Sequence, residues 1–431
     1  MRLKIYLFFL LLFSSRMPVA YSISPHEINQ KNLRAHVNFL CSKKLEGRQT
    51  GSRGEKLATE YIAKQFHDLG LEPAGDNGSY FQEFSFTGNA LFRKKNRLLI
   101  IQHGRNVLAK LNVTAKPSPI IILSAHVDHL GRGKLIGSRA RENEIGLIHV
   151  GADDNASGVA SMLEIAAKLS TLKSQGKLTG KNDILFAAWS GEELGILGSS
   201  YFIKNHIKTK SLQPNINAMI NLDMVGHLRK YLVLQGIGSS QDWPRLIKQT
   251  NSTHVLPLLT QNDTYLPTDT TAFYLHHIPT LNFFTGAHED YHTPRDTPDK
   301  LNYNGIKTIS EFLTDLILVM ENKSNAISFH EAQPSKHDVK RKYKIYLGTI
   351  PDYASAMVSG VKLAGVANHS PAELAGLKQD DVIIELAGKK INDIYDYTDV
   401  INGLRVGKRV KVIVLRENSK IDLNITARYR E

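Results

Sequence analysis

Cysteine is almost missing from this 431-residue sequence. Cys41 stands alone, so no disulfide within the chain can staple the fold. Long apolar runs are missing too. The longest near the start, Ile5 to Phe13, falls short of the roughly 20 residues that a membrane-spanning helix needs. Acidic residues are in deficit, 41 against 54 Lys and Arg, which leaves a formal charge of +13. That surplus is scattered. Its densest cluster, Lys340 to Lys344 (KRKYK), has no nucleic-acid-binding motif beside it and reads as a solvated segment, so no nucleic-acid partner is expected. The 42% hydrophobic and 22% charged fractions exclude a disordered or fibrous chain and allow a sizeable core in two or three domains.

The N-terminus has the form of a secretory signal. Arg2 and Lys4 precede the short apolar run, and the small residues Ala20 and Ser22 follow it. Residues 1–22 are therefore expected to be removed, leaving a periplasmic or secreted protein without a stable membrane span.

The pattern then changes along the chain. Ser24-Pro25-His26-Glu27 is a capping box with Pro at the first helical position, which predicts a helix through Leu40. Leu57 to Leu69 keep a helical stripe that Gly70 ends. The runs PIIILSAHVDH, DILFAAWSGEE, NAMINLDMVG and IPTLNFFTG read as buried strands, with a helix in SGVASMLEIAAKL and another from about Gly305. Strands alternating with helices predict an α/β fold whose mixed, largely parallel central sheet is flanked by helices. Residues 323–342 are polar and aperiodic and read as a linker. Residues 343–431 return to short strands with two helical patches, a small α+β domain.

Polar side chains gather where the buried strands end: His126 and Asp128 after the first, Glu192 and Glu193 after the second, Asp223 after the third, His292 in the loop after the fourth. The stretch GADDNASG adds Asp153 and Asp154 between the first strand and its helix. Open α/β sheets bind ligands outside the carboxyl ends of their strands, so these groups face one crevice. Clustered carboxylates need a cation, and imidazole with carboxylate suits zinc. Five such ligands exceed one tetrahedral site that keeps water and fit two ions sharing a carboxylate.

These motifs carry a resemblance. LEGRQTGSRG, SAHVDHLG, GADDNASG, WSGEELGILGS, MINLDMVG and HEDYHTPRDTPDK run in order and together resemble the zinc exopeptidases of metallopeptidase family 28. The resemblance implies the zinc exopeptidase fold over residues 23–322 and two Zn2+ per chain. It implies that His126 and Asp223 bind one ion, Glu193 and His292 the other, and that Asp154 bridges them across a peptide bond to Asn155 that is often cis. It further implies Glu192 as general base, Asp128 as the group orienting His126, Tyr265 as a phenol for the oxyanion, and Asp269 as a supporting acid. The implied activity is removal of N-terminal residues from peptides. A carboxypeptidase or dipeptidase specificity is the nearer alternative, for which Arg295 is a candidate carboxylate receptor, and a catalytically silent peptide-binding protein is the more distant one. No role follows for Asp153.

The C-terminal region resembles a PDZ domain. YLGTIPDY matches its carboxylate-binding loop, which implies that the amides of Leu347 and Gly348 cradle the C-terminal carboxylate of a peptide ligand.

Overall fold

The computed structural model describes residues 26–88, 100–116, 118–133, 138–209, 216–264, 266–286, 288–323, 325–332, 345–351, 359–366, 370–392, 396–397, 400–401, 403–417 and 419–428. The signal segment, the Lys340 to Lys344 cluster and Tyr265 lie outside them.

The apolar runs form the centre of a sheet. Strands β4 (Ile120–His126), β5 (Asp183–Trp189) and β6 (Ile216–Leu222) are buried along their whole length, which is why they read as unbroken hydrophobic stretches rather than as alternation. With β9 (Thr280–Phe284) they run parallel in the order β5-β4-β6-β9. The edges turn antiparallel. On one side lie β3 (Ile100–Leu111) with its neighbours β1 (Glu72–Pro73) and β2 (Phe81–Gly88). On the other lie β7 (Leu232–Gln235) and β8 (Leu258–Gln261). After β4 the chain adds β5 on one side and β6 on the other, so the strand order switches at the end of β4, where His126 stands.

Helices cover both faces. α1 (Gln30–Leu40), α2 (Arg53–Asp68), α3 (Gly158–Ser174), α5 (Trp243–His254) and α7 (Tyr303–Glu321) supply the larger core, including Leu33, Phe66, Leu163, Leu246 and Phe312. α4 (Leu197–Thr209) and α6 (Thr270–Tyr274) close the opposite face, where Trp189 packs with Phe202 and Phe273. Each large apolar side chain buried this way contributes about 1.5–3 kcal/mol, which holds the fold without a disulfide.

The first helix starts later than its capping box predicts. α1 begins at Gln30, capped by Asn29, whose side chain accepts from the Asn32 amide at 2.9 Å. Residues 26–29 stay outside the helix because Glu164 on α3 takes His26 Nε2 at 3.2 Å and the Asn29 amide at 3.4 Å. A tertiary carboxylate outweighs the local signal.

The polar stretch after α7 is not free at its start. Ile327 N donates to Asn217 at 2.7 Å, His330 N to the Ser239 carbonyl at 2.8 Å, and Ala332 N to the Tyr274 hydroxyl at 2.9 Å. The C-terminal unit has its own sheet, β10 (Thr349–Pro351), β11 (Val361–Val366), β12 (Val382–Leu386), β14 (Arg409–Arg416) and β15 (Ser419–Thr426) in that order. β13 (Lys389–Lys390) pairs with β12, and a short helix, α8 (Pro371–Leu374), lies between β11 and β12. Leu363, Ile383, Val412 and Val414 centre a separate core there.

Candidate metal centre

Most of the candidate side chains stand where a buried strand leaves the sheet. His126 closes β4 beside Trp189 of β5, and the Val127 amide donates to the Trp189 carbonyl at 2.7 Å. Ser190 and Gly191 then turn the chain into Glu192 and Glu193. Asp223 follows β6, its amide tied to Phe283 of β9 at 3.1 Å. Asp154 reaches the same place from the turn before α3. Gly151 makes that turn possible with φ of 56°, and a Cβ there would lie 2.1 Å from the Asp154 carbonyl oxygen. The Asp154-Asn155 bond is cis.

Asp154 is the centre of the cluster. Its Oδ1 lies 3.0 Å from His126 Nε2, which also faces Asp223 Oδ1 at 3.5 Å. Its Oδ2 lies 3.1 Å from His292 Nε2, which faces Glu193 Oε2 at 3.0 Å. Donor atoms of His126, Asp154 and Asp223 fall within 4.8 Å of one another, as do those of His129, Asp154 and Glu193. One buried carboxylate thus joins two ligand sets.

Hydrogen bonds fix which atoms are available. His126 Nδ1 donates to the Asp128 main-chain carbonyl at 3.2 Å, which leaves the Nε2 lone pair free to face Asp154 and Asp223. The nearer Asp128 carboxylate oxygen is 3.8 Å from that ring nitrogen. The carboxylate is engaged elsewhere, accepting from Thr50 Oγ1 at 2.8 Å, Glu192 N at 3.1 Å and Glu193 N at 3.4 Å. Asp128 therefore holds the main chain of the Glu-Glu pair as well as one face of His126.

Charge balance calls for cations. Burial disfavours charge on His126 and His292, yet Asp154 and Asp223 hold His126 well above its usual range, and Glu193 and Asp154 push His292 up to about 11. Burial raises Glu192 well above a normal carboxyl, reinforced by Asp223 and Glu193. Burial would also raise Asp154, but His126 and His292 keep it well below the usual carboxylate range. Imidazole Nε2 atoms and carboxylates in this spacing suit zinc or a similar divalent ion, so the residues present fit a metal.

Residues 106–317 match Peptidase family M28, and residues 326–427 match the PDZ domain. The chain carries an M28 peptidase domain. Among curated relatives, the chain is 32% identical over 180 residues to the alkaline phosphatase isozyme conversion protein of Escherichia coli (strain K12), covering 41% of this chain and 46% of that one. It is 28% identical over 176 residues to aminopeptidase YwaD of Bacillus subtilis (strain 168), covering 38% and 36%. The chain spans less than half the length of the curated relatives it matches. The M28 domain shares its fold with BSAP, a zinc aminopeptidase from Bacillus subtilis, at a TM-score of 0.54 and 18% identity over 72% of this chain and 99% of that one. It likewise matches the LapA aminopeptidase of Legionella pneumophila at 0.51 and 17% over 69% and 73%.

Tyr291 escaped the sequence reading, whereas His129, His227 and His288 are legible there as near the site but outside the ligand set. His129 Nδ1 donates to Glu193 Oε1 at 2.7 Å. Tyr291 stacks on the His292 ring with centroids 3.8 Å apart, and burial, then the charges of Asp154 and Glu193, raise its phenol far above normal. Adjacency to His292 was the available signal for Tyr291. Tyr265 lies outside the described residues. Asp269 is fully buried at the start of α6, where burial pushes its carboxyl up to about 7. Asp153 resolves as a brace: its carboxylate accepts from Gly226 N at 2.6 Å, Ser157 Oγ at 3.0 Å and His227 Nδ1 at 2.8 Å, with His288 Nε2 at 3.2 Å. The His227 and His288 rings stack at 3.9 Å, and one nitrogen of each lies with an Asp153 oxygen inside 4.8 Å, a third group of donor atoms beside the cluster. Arg295 is also engaged, donating Nη1 to Glu144 and Nε to Asp290 at 3.0 Å.

In the C-terminal unit, Leu347 is buried and its carbonyl accepts from Ala372 N at 2.8 Å, while Gly348 has φ of 76° and leads into β10. β10 ends the sheet order, paired to β11.

Proposed function

We propose that the chain is a periplasmic or secreted di-zinc aminopeptidase that removes N-terminal residues from peptides. The observation that carries this reading is the Asp154 carboxylate, with one oxygen 3.0 Å from His126 and the other 3.1 Å from His292. His126, Asp154 and Asp223 would hold one ion, and Asp154, Glu193 and His292 the other. Bound there, two ions supply polarisation of the scissile carbonyl and acidification of the attacking water.

The remaining chemistry belongs to side chains. Glu192, as the base, takes a proton from the water as it attacks and passes it to the leaving amine. Asp128 fixes the backbone of that base through the Glu192 amide. Tyr265 would donate its phenol to the oxyanion, while Tyr291 supports the His292 ring by stacking on it. His129 holds Glu193 Oε1 and leaves Oε2 for the ion.

The engagement of Arg295 with Glu144 and Asp290 favours recognition of an amine end over a carboxylate end. For the C-terminal unit, a peptide carboxylate at the Leu347 and Gly348 amides with the ligand strand added beside β10 is the reading the edge position supports. The deciding experiment offers amino-acyl chromogenic amides beside N-blocked peptides. Cleavage of the free-amine substrates alone is expected, and cleavage of blocked peptides alone excludes an aminopeptidase.

A further inference from the structure

The segment Gly47 to Thr50, in the LEGRQTGSRG stretch, has no part in the chemistry above, yet it touches two loops that carry it. The Arg48 side chain is buried, and its guanidinium is directed at main-chain carbonyls. Nε donates to Val127 at 2.9 Å, between His126 and Asp128. Nη1 donates to Val150 at 2.7 Å and to Leu40 at 2.7 Å, and Nη2 to Gly151 at 3.0 Å, at the entry to the Asp153-Asp154 turn. The segment's own carbonyls accept from the same loop as Val127: Arg48 O from His129 N at 3.2 Å and Gly47 O from Gly131 N at 3.0 Å. Thr50 Oγ1 donates to Asp128 at 2.8 Å. Gly47 and Arg48 both adopt left-handed φ, 77° and 51°, and a Cβ on Gly47 would meet the His149 carbonyl at 2.4 Å. A non-glycine residue kept in that region is costly, and the surrounding bonds over-determine it.

We infer that Arg48 and Thr50 are positioning residues that set the separation between the His126 loop and the Asp154 turn, and so the fit of the metal pair. The inference rests on the di-zinc reading. A planar fork reaches several carbonyls in fixed directions; a lysine ammonium keeps the charge but cannot span them. Groups standing behind metal ligands typically change metal affinity or activity about 10- to 100-fold when altered.

The test measures zinc dissociation constants of the full chain by chelator competition, with melting of the zinc-free form as the control for folding. Arg48→Lys and Thr50→Val are expected to bind zinc about 10- to 100-fold more weakly than wild type. Thr50→Ser, which keeps the donor, should restore affinity, and the zinc-free Thr50→Val chain should melt as wild type does. Wild-type affinity in both Arg48→Lys and Thr50→Val overturns the inference and leaves the peptidase reading standing. So does a Thr50→Ser chain as weak as Thr50→Val. If Arg48→Lys fails to fold, the Thr50 pair decides. A wild-type chain that binds no zinc overturns the peptidase reading, and this inference with it.

Discussion

Asp154 and Glu192 divide the proposed chemistry at the level of single residues, and their surroundings push them in opposite directions. Two imidazoles hold Asp154 well below the usual carboxylate range, while burial and neighbouring acids raise Glu192 well above it. Replacing Glu192 by Gln is expected to lower kcat by about 10²- to 10⁴-fold while zinc content stays at the wild-type level; kinetics beside elemental analysis checks both. Asp154→Asn should weaken both ions together, whereas His292→Ala should weaken one, and a two-site zinc isotherm separates the cases. Ligand candidates were readable in the sequence because polar residues at the ends of apolar strands have few other uses. The bonding of Asp128 was not, since its carboxylate also accepts from amides 64 and 65 residues away, Glu192 and Glu193, besides lying 3.8 Å from the histidine two places before it. Tyr291 escaped, and His129 was visible only as a neighbour of the site, because their contacts depend on where a ring points.

Among the elements, the three fully buried strands and the long helices followed from composition and period. The short outer strands β7 and β8 did not: four residues each are too few to set a period, and β8 leaves Leu258 and Leu259 only partly covered. The start of α1 was misread because Glu164, on another helix, captures His26 and Asn29. That contact has a pH signature. Burial alone would raise the Glu164 carboxyl, but His26 and His36 lower it from 4.5 to about 2. The folded value lies below the unfolded one, so the stabilisation is present above pH 4.5 and disappears as pH falls towards 2. Glu164→Gln is expected to cost roughly 3 kcal/mol at pH 5, the gap to wild type narrowing on acidification. Urea unfolding at a series of pH values measures it; a gap independent of pH between 5 and 3 contradicts the assignment.

Among the described residues the M28 domain and the C-terminal unit each build cores of their own, and the stretch between them is only partly a linker. Polar composition hid the docking of residues 325–332, because the bonds are made by backbone amides, which no side-chain pattern reports. A chain ending after Ala332 is expected to fold, bind zinc and keep its activity. One ending after Lys323 also exposes the space filled by Ile327 and leaves Asn217 without its amide donor, and should lose about 3 kcal/mol. Thermal melting of the two truncated chains compares them.

The most direct test of the proposed di-metal centre is a zinc titration of the chelator-stripped chain, read as hydrolysis of a free-amine amino-acyl chromogenic amide. Activity rising to a plateau at two zinc ions per chain is the predicted result. A plateau at one ion, or no hydrolysis at any zinc concentration, would contradict it.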